Sequence, residues 1–209
     1  MSQDSIQLGL LLIIIILFSL SIHEFAHAWV ANLFGDPTAK NEGRMTLNPF
    51  KHWDTVGTTL LVGLLILRAL QVFGSPPVFG WGKPVPVNEG NFENPRLHGI
   101  QTALAGPMSN FLLAMILALI VRSITLPELV STAFALAIYV NIFLMFFNLL
   151  PIPPLDGSRV LRLFMSEQSY YNLASNPVFL FGGIFIVLYL LADLLVQATS
   201  YLTHLLIGS

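Results

Sequence analysis

Two histidines four residues apart, with a glutamate beside the first, form the most informative pattern in the chain: His23-Glu24-Phe25-Ala26-His27. On a helix the two imidazoles lie one turn apart on the same face and can point at one zinc ion. Glu24 is turned away from the pair, so it reaches a water at the metal rather than the metal itself, which suits a general base. With five His among 209 residues, a shuffled chain would contain such a motif roughly 0.003 times. Hydrogen-bonded helix histidines beside a snorkelling Glu are the bland alternative. It would leave three ionisable groups in an apolar helix with no return for their cost, and such groups default to a functional reading.

A catalytic zinc needs a third protein ligand and an open position. The chain has no Cys, so the choice falls among His52, His98, His204, Asp36, Asp54, Asp156, Asp193 and the remaining glutamates. Asp156 is the best of these. It follows Pro151, Pro153 and Pro154, which end a helix and fix the backbone, and Gly157 permits a tight turn. A turn-forming Asp-Gly at an interface is the competing explanation. Asn110 also stands inside an apolar stretch, where an amide is costly unless hydrogen-bonded. It reads either as a functional amide or as a link between helices, with Gly106 allowing close approach. Arg68 pairs with an acid, snorkels, or lies outside the membrane, and Asp193 reads as a helix-interface or pore-side carboxylate.

The elements that must position these groups belong to a membrane protein. Hydrophobic residues make up 55% of the chain and charged ones 10%, against about 25% charge in soluble domains. Mean hydropathy is +0.76. Those values, with a net charge of −2, exclude a disordered chain, an ordinary cytosolic domain and a nucleic-acid binder. The first apolar run has no basic flank and no clear cleavage site, so it is expected to be retained. Full spans are expected near residues 6–35, 99–121, 129–150 and 176–207, within a single integral-membrane domain over 1–209. The 55–73 stretch, with Gly57, Gly63 and Arg68, is expected to be re-entrant or interfacial. Residues 74–95, rich in Gly, Pro and Asn, should be extended or hairpin-like. The expected architecture is an all-α polytopic bundle with that small extended region between its first two full spans.

Three motifs in order resemble the site-2 protease family of intramembrane zinc metalloproteases. They are His23–His27, Gly106-Pro107-Met108-Ser109-Asn110, and Asn148-Leu149-Leu150-Pro151-Ile152-Pro153-Pro154-Leu155-Asp156-Gly157. The likeness covers most of residues 6–165, and 41–94 looks like the loop region of short members without appended regulatory domains. The resemblance implies that His23, His27 and Asp156 hold one zinc ion per chain, that Glu24 is the general base, and that Asn110 contacts substrate or intermediate. It also implies cleavage of membrane-spanning protein substrates. A transmembrane helix hides its carbonyls in internal hydrogen bonds, so a substrate must unwind before attack. Residues 80–87 are the expected edge to hold it by strand addition. A divalent-metal transporter is the main rival, and a non-catalytic membrane scaffold the second. A transporter needs no Glu beside the His pair, and the paired repeats common in transporters are absent from the sequence.

Orientation follows from counting crossings. The C-terminal ends of the first and third full spans must reach one membrane face if His27 and Asp156 are to share an ion. They do so if 55–73 does not cross. Lys40, Arg44, Lys51, Lys83, Arg96, Arg159 and Arg162 then all lie on the cytoplasmic side, which satisfies the positive-inside preference. Arg122 alone stands outside it. The N-terminus is expected outside the cell membrane and the site toward the cytoplasm. Single cysteines replacing Met45 and Val85 should both resist a membrane-impermeant thiol reagent in intact cells. Labelling of one with protection of the other would show that 55–73 crosses.

Overall fold

A hydrocarbon environment demands that every backbone polar group be satisfied within its own segment, and long helices answer that demand here. The computed structural model describes residues 3–71 and 78–208. Residues 72–77, which hold the end of the expected interfacial stretch and the start of the expected extended one, lie outside the described residues. Helix α1 spans Gln3–Leu33. A short α2, Thr38–Asn41, and a 3-10 turn, Pro49–His52, follow it. Next come α3 (Gly57–Ala69) and a second 3-10 turn, Glu89–Asn91. The long helices α4 (Pro95–Ser123) and α5 (Glu128–Leu149) lead to a 3-10 segment, Asp156–Leu163. The chain ends in α6 (Glu167–Ser175), α7 (Pro177–Ile186), a π-helical turn (Val187–Leu191) and α8 (Ala192–Ile207).

Four helical stretches are long and apolar enough to cross a bilayer: Ile6–Leu33, Pro95–Ser123, Glu128–Leu149 and Tyr189–Ile207. Together they make the protein an all-α, multi-pass membrane protein. Among the described residues there is no β-strand, so the described part of the 74–95 region forms no hairpin and, apart from the turn at Glu89–Asn91 and the start of α4, is non-regular chain. Its prolines and glycines favour that outcome. Helix α3 has 13 residues, about 20 Å of rise against a hydrocarbon core of about 30 Å. The last apolar run is not one uniform helix. A π turn admits an extra residue, so that α7 sets Gly183 against Ile152 while α8 turns Leu195, Thr199 and Thr203 inward.

Helix α1 packs on α4 and α5, α4 packs on α5, and α8 lies against both α4 and α5. Ala114 and Ala118 of α4 meet Ile138, Ile142 and Met145 of α5 in the buried core, with Leu202 and Leu206 of α8 against them. The two alanines let the backbones approach closely, as small residues do between membrane helices. Leu10, Ile14 and Phe18 of α1, and Leu112, Ile116 and Leu119 of α4, remain exposed, a surface suited to lipid.

The end of α1 fixes the loops beside it. Gly35 has φ +96°. The amide of Asp36 donates to Ala31 O at 2.9 Å, and that of Gly35 to Asn32 O at 3.3 Å, a Schellman stop. Asp36, delivered there, is fully buried. Its carboxylate accepts from Thr38 N (3.1 Å), Thr38 Oγ1 (2.5 Å), Asn88 N (2.7 Å) and Asn91 Nδ2 (2.7 Å). Burial raises the pKa of this carboxyl, but the hydrogen bonds from Thr38, Asn88 and Asn91 outweigh it and hold the pKa below its ordinary value. Buried Arg44 pins the same loop, donating to Lys83 O (2.8 Å) and Pro84 O (3.3 Å).

Asp36→Ala should lower stability by about 2–3 kcal/mol, the scale of hydrogen bonds to a charged group left without their acceptor. Proteolysis between 78 and 92 should speed up in the purified variant. Because the folded pKa is depressed, the contribution is complete above the ordinary carboxyl pKa and is lost as pH falls through the folded value. Thermal unfolding of native protein and variant should therefore converge in acid.

Candidate functional site

The face of α1 that carries His23 and His27 turns toward α4, and both residues are buried. Each imidazole is held from behind. His23 Nδ1 lies 2.7 Å from Asn110 Oδ1, and His27 Nδ1 lies 2.7 Å from the carbonyl oxygen of Thr102. Both partners are acceptors, because Asn110 spends its NH2 group on Ser19 O (3.3 Å) and Asn141 Oδ1 (2.8 Å). Each ring therefore carries its proton on Nδ1 and offers a lone pair at Nε2. The two Nε2 atoms stand 3.0 Å apart.

Asp156 arrives from the other side of the bundle. Helix α5 ends at Leu149, the prolines carry the chain across, and Asp156 opens a 3-10 segment that packs on α4 and α5. Gly157 makes this possible by close approach: a Cβ there would sit 2.7 Å from Leu150 O and would also strike Leu149 O. Asp156 Oδ2 lies 3.0 Å from His23 Nε2 and 3.4 Å from His27 Nε2. Among the described residues no hydrogen-bond partner satisfies the buried Oδ2.

Three acceptor atoms thus face one another in a buried pocket. A shared proton can satisfy only part of the set, whereas a metal ion satisfies all three. Two imidazoles and one carboxylate are also a common zinc donor set that leaves a fourth position open. Gly106 of α4 forms the floor. A Cβ there would lie 2.6 Å from His23 Nε2 and closer still to His27 Nε2, so glycine makes room for the rings themselves. Among the described residues, this is the one group of three His, Asp or Glu whose ligand atoms converge.

Beside the triad opens a cavity of about 360 Å³ lined by Glu24, His27, Thr102, Val85, Asp156 and Arg159, among others. Glu24 is half-buried, and its Oε2 accepts from Val85 N at 2.9 Å. Its wall is tied to the Asp156 segment by charge. Glu89 pairs with Arg159 and with Arg162 (2.9 Å), and Arg162 also bonds Glu167 at 2.8 Å. The edge expected at 80–87 is partly spent. Lys83 N donates to His52 O at 2.9 Å, Arg44 holds the carbonyls of residues 83 and 84, Glu24 takes Val85 N, and Pro84 and Pro86 have no N–H. Strand addition along 83–85 would require those bonds to be released.

The remaining sequence candidates serve elsewhere. His52 bonds Thr46 O at 2.8 Å, His98 stacks on Phe34, and Asp54 caps α3 through Val56 N and Gly57 N. Asp36 anchors the loop described above. Asp193 is exposed rather than buried at a helix interface, and Arg68 is exposed at the last turn of α3. Asn110, expected to contact substrate or intermediate, is fully buried and bonded to His23. Sequence reasoning passed over Asn141 and Ser19, although an amide in the middle of the 129–150 run carried the same signal as Asn110. Nothing local marked Thr102, which acts through its backbone.

The sequence profile of Peptidase family M50 matches residues 120–190. The "Putative zinc metalloprotease YwhC" of Bacillus subtilis is 42% identical over 160 residues, covering 72% of this chain and 67% of that protein. The "Putative zinc metalloprotease Rip2" of Mycolicibacterium smegmatis is 31% identical over 182 residues, covering 86% of this chain and 66% of its own length. The matched region thus spans about two thirds of these relatives. No solved structure matches the chain.

The seat at residue 106 gives a direct test. Gly106→Ala should displace one or both imidazoles and cut zinc retention, read by metal analysis of the purified protein. Native zinc content in that variant would show that the rings do not occupy the positions described.

Proposed function

Since the chain belongs to peptidase family M50 and is a metallopeptidase of the site-2 type, we propose that it hydrolyses peptide bonds of membrane-spanning proteins at one zinc ion. In this reading His23, His27 and Asp156 hold the metal, and Glu24 is the general base. The observation that carries it is the convergence of three lone-pair donors beside a cavity that Glu24 also lines. A zinc ion bound there would polarise the scissile carbonyl and lower the pKa of a water it coordinates toward about 7.

The chain's own residues supply the rest. The Glu24 carboxylate takes the proton of the attacking water and passes it to the leaving nitrogen, one carboxylate serving both steps. Its hydrogen bond from Val85 N keeps it turned to the cavity and out of the ligand set. Unwound substrate would lie in the cavity between the 84–87 wall and the Asp156 segment. The charges of the loops between helices support the cytoplasmic face as the side from which water enters.

Glu24→Gln should lower cleavage of a reconstituted membrane-spanning peptide by roughly 10²–10⁴-fold, the usual contribution of a general base. The same sample should keep about one zinc per chain, because Glu24 is outside the ligand set. Asp156→Ala should instead lose zinc affinity and activity together. Near-native cleavage by Glu24→Gln would remove the residue from the mechanism, and a native protein that binds no zinc would refute the peptidase reading.

A further inference from the structure

A line of buried amides crosses the bundle behind the histidine pair. Ser19 of α1, Asn110 of α4 and Asn141 of α5 are each at most 2% exposed, and they sit within the apolar stretches of three different helices. Asn141 Nδ2 donates to Ser19 Oγ at 2.9 Å and to Ala137 O at 2.8 Å. Its Oδ1 accepts from Asn110 Nδ2 at 2.8 Å. Asn110 Oδ1 in turn faces His23 Nδ1 at 2.7 Å.

The direction of donation is fixed along this line. Ala137 O accepts only, so the Asn141 amide must turn its NH2 toward it and its oxygen toward Asn110. That oxygen demands a donor, and its 2.8 Å bond, shorter than the 3.3 Å one to Ser19 O, is the stronger of the two that point the Asn110 NH2 away from His23 and its oxygen toward it. An oxygen there demands N–H at His23 Nδ1 and leaves the lone pair at Nε2. A flipped Asn110 would present its NH2 to His23 instead, draw the lone pair to Nδ1 and put the proton where the ligand atom belongs.

We propose that Asn141, a residue that touches neither His23 nor the cavity, is a positioning residue of the metal site. It holds the Asn110 amide in the one orientation that makes His23 Nε2 a ligand. This rests on the reading of His23 as a metal ligand and goes beyond it by naming what sets the ring's tautomer. Outer partners of a ligating histidine are worth about 10–100-fold in metal affinity, and this one acts through an intermediate amide. Thr102 O performs the corresponding task for His27 without needing such support, because a backbone carbonyl cannot flip.

The test compares Asn141→Leu, which removes the acceptor, with Asn141→Asp, whose carboxyl, protonated by burial, keeps an oxygen facing Asn110 and an O–H for Ala137 O. Zinc affinity is measured by chelator competition on the full-length protein in detergent. The site of the His23 ring proton is read by ¹⁵N spectroscopy of the metal-free, histidine-labelled protein. Asn141→Leu should bind zinc about 10–100-fold more weakly and lose the fixed proton on His23 Nδ1, while His27 keeps its own. Asn141→Asp should stay close to native in both. Native zinc affinity and a native His23 proton in Asn141→Leu would overturn the proposal. If Asn141→Leu does not fold, Asn141→Asp decides: a displaced His23 proton there means that the acceptor is not what matters. A fixed Nδ1 proton that depends on Asn141, in a protein that binds no zinc, would show that Asn141 sets the ring's tautomer and would overturn the metal-site reading on which the proposal rests.

Discussion

Two imidazole nitrogens and a carboxylate oxygen, all acceptors and all turned toward one point, impose the constraint from which the other features follow. Such a cluster is costly in a low-dielectric interior unless a proton or a metal ion offsets it, and its geometry suits a metal ion. Everything around it keeps the lone pairs aimed inward. Thr102 O and Asn110 Oδ1 occupy the outer ring nitrogens, Gly106 leaves space for the rings, and Gly157 lets the Asp156 turn settle onto the end of α5. Each of these contributions excludes an alternative, whether the wrong tautomer, a displaced ring or a carboxylate held too far away.

The surroundings divide into a side facing the bundle and a side facing the cavity. Toward the bundle, the amides of Asn110 and Asn141 and the groups of Ser19 satisfy one another. Polar side chains thus persist among apolar helices and at the same time fix the relative register of α1, α4 and α5. Toward the cavity, irregular chain is held by two buried charges, Asp36 and Arg44, and by the Glu89–Arg159–Arg162–Glu167 ion-pair chain. Irregular backbone without a regular ladder takes such partners for its polar groups.

This asymmetry bears on the rival idea of a metal transporter. A transport site must open to each side of the membrane in turn. Here the triad opens beside a cavity on one side and is backed by a hydrogen-bonded amide network and packed helices on the other. Glu24 is likewise kept off the ligand cluster by its bond to the Val85 amide, an arrangement suited to moving protons and of no evident use in ferrying a cation.

The sequence by itself determined the features that rest on local periodicity and composition. Apolar run length specified long helices, the i, i+4 spacing put His23 and His27 on one face, and the proline-rich run marked Asp156 as a carboxylate held at a helix end. Tertiary structure decided what depends on contacts between distant segments. Gly106 and Gly157 matter through the ring and carbonyls that approach them, which their neighbours in sequence do not reveal. Asp36 reads as one candidate ligand among several and Arg44 as a positive-inside charge, yet both are buried anchors, because loop groups some 40 to 55 residues away come to them. The 74–95 region reads as extended or hairpin-like, and its described part forms no hairpin because prolines and side-chain partners consume the groups a ladder would use. Asn141 gained its meaning only when α4 and α5 met. Hydrogen-bond direction is a property of the assembled network, and no single helix encodes it.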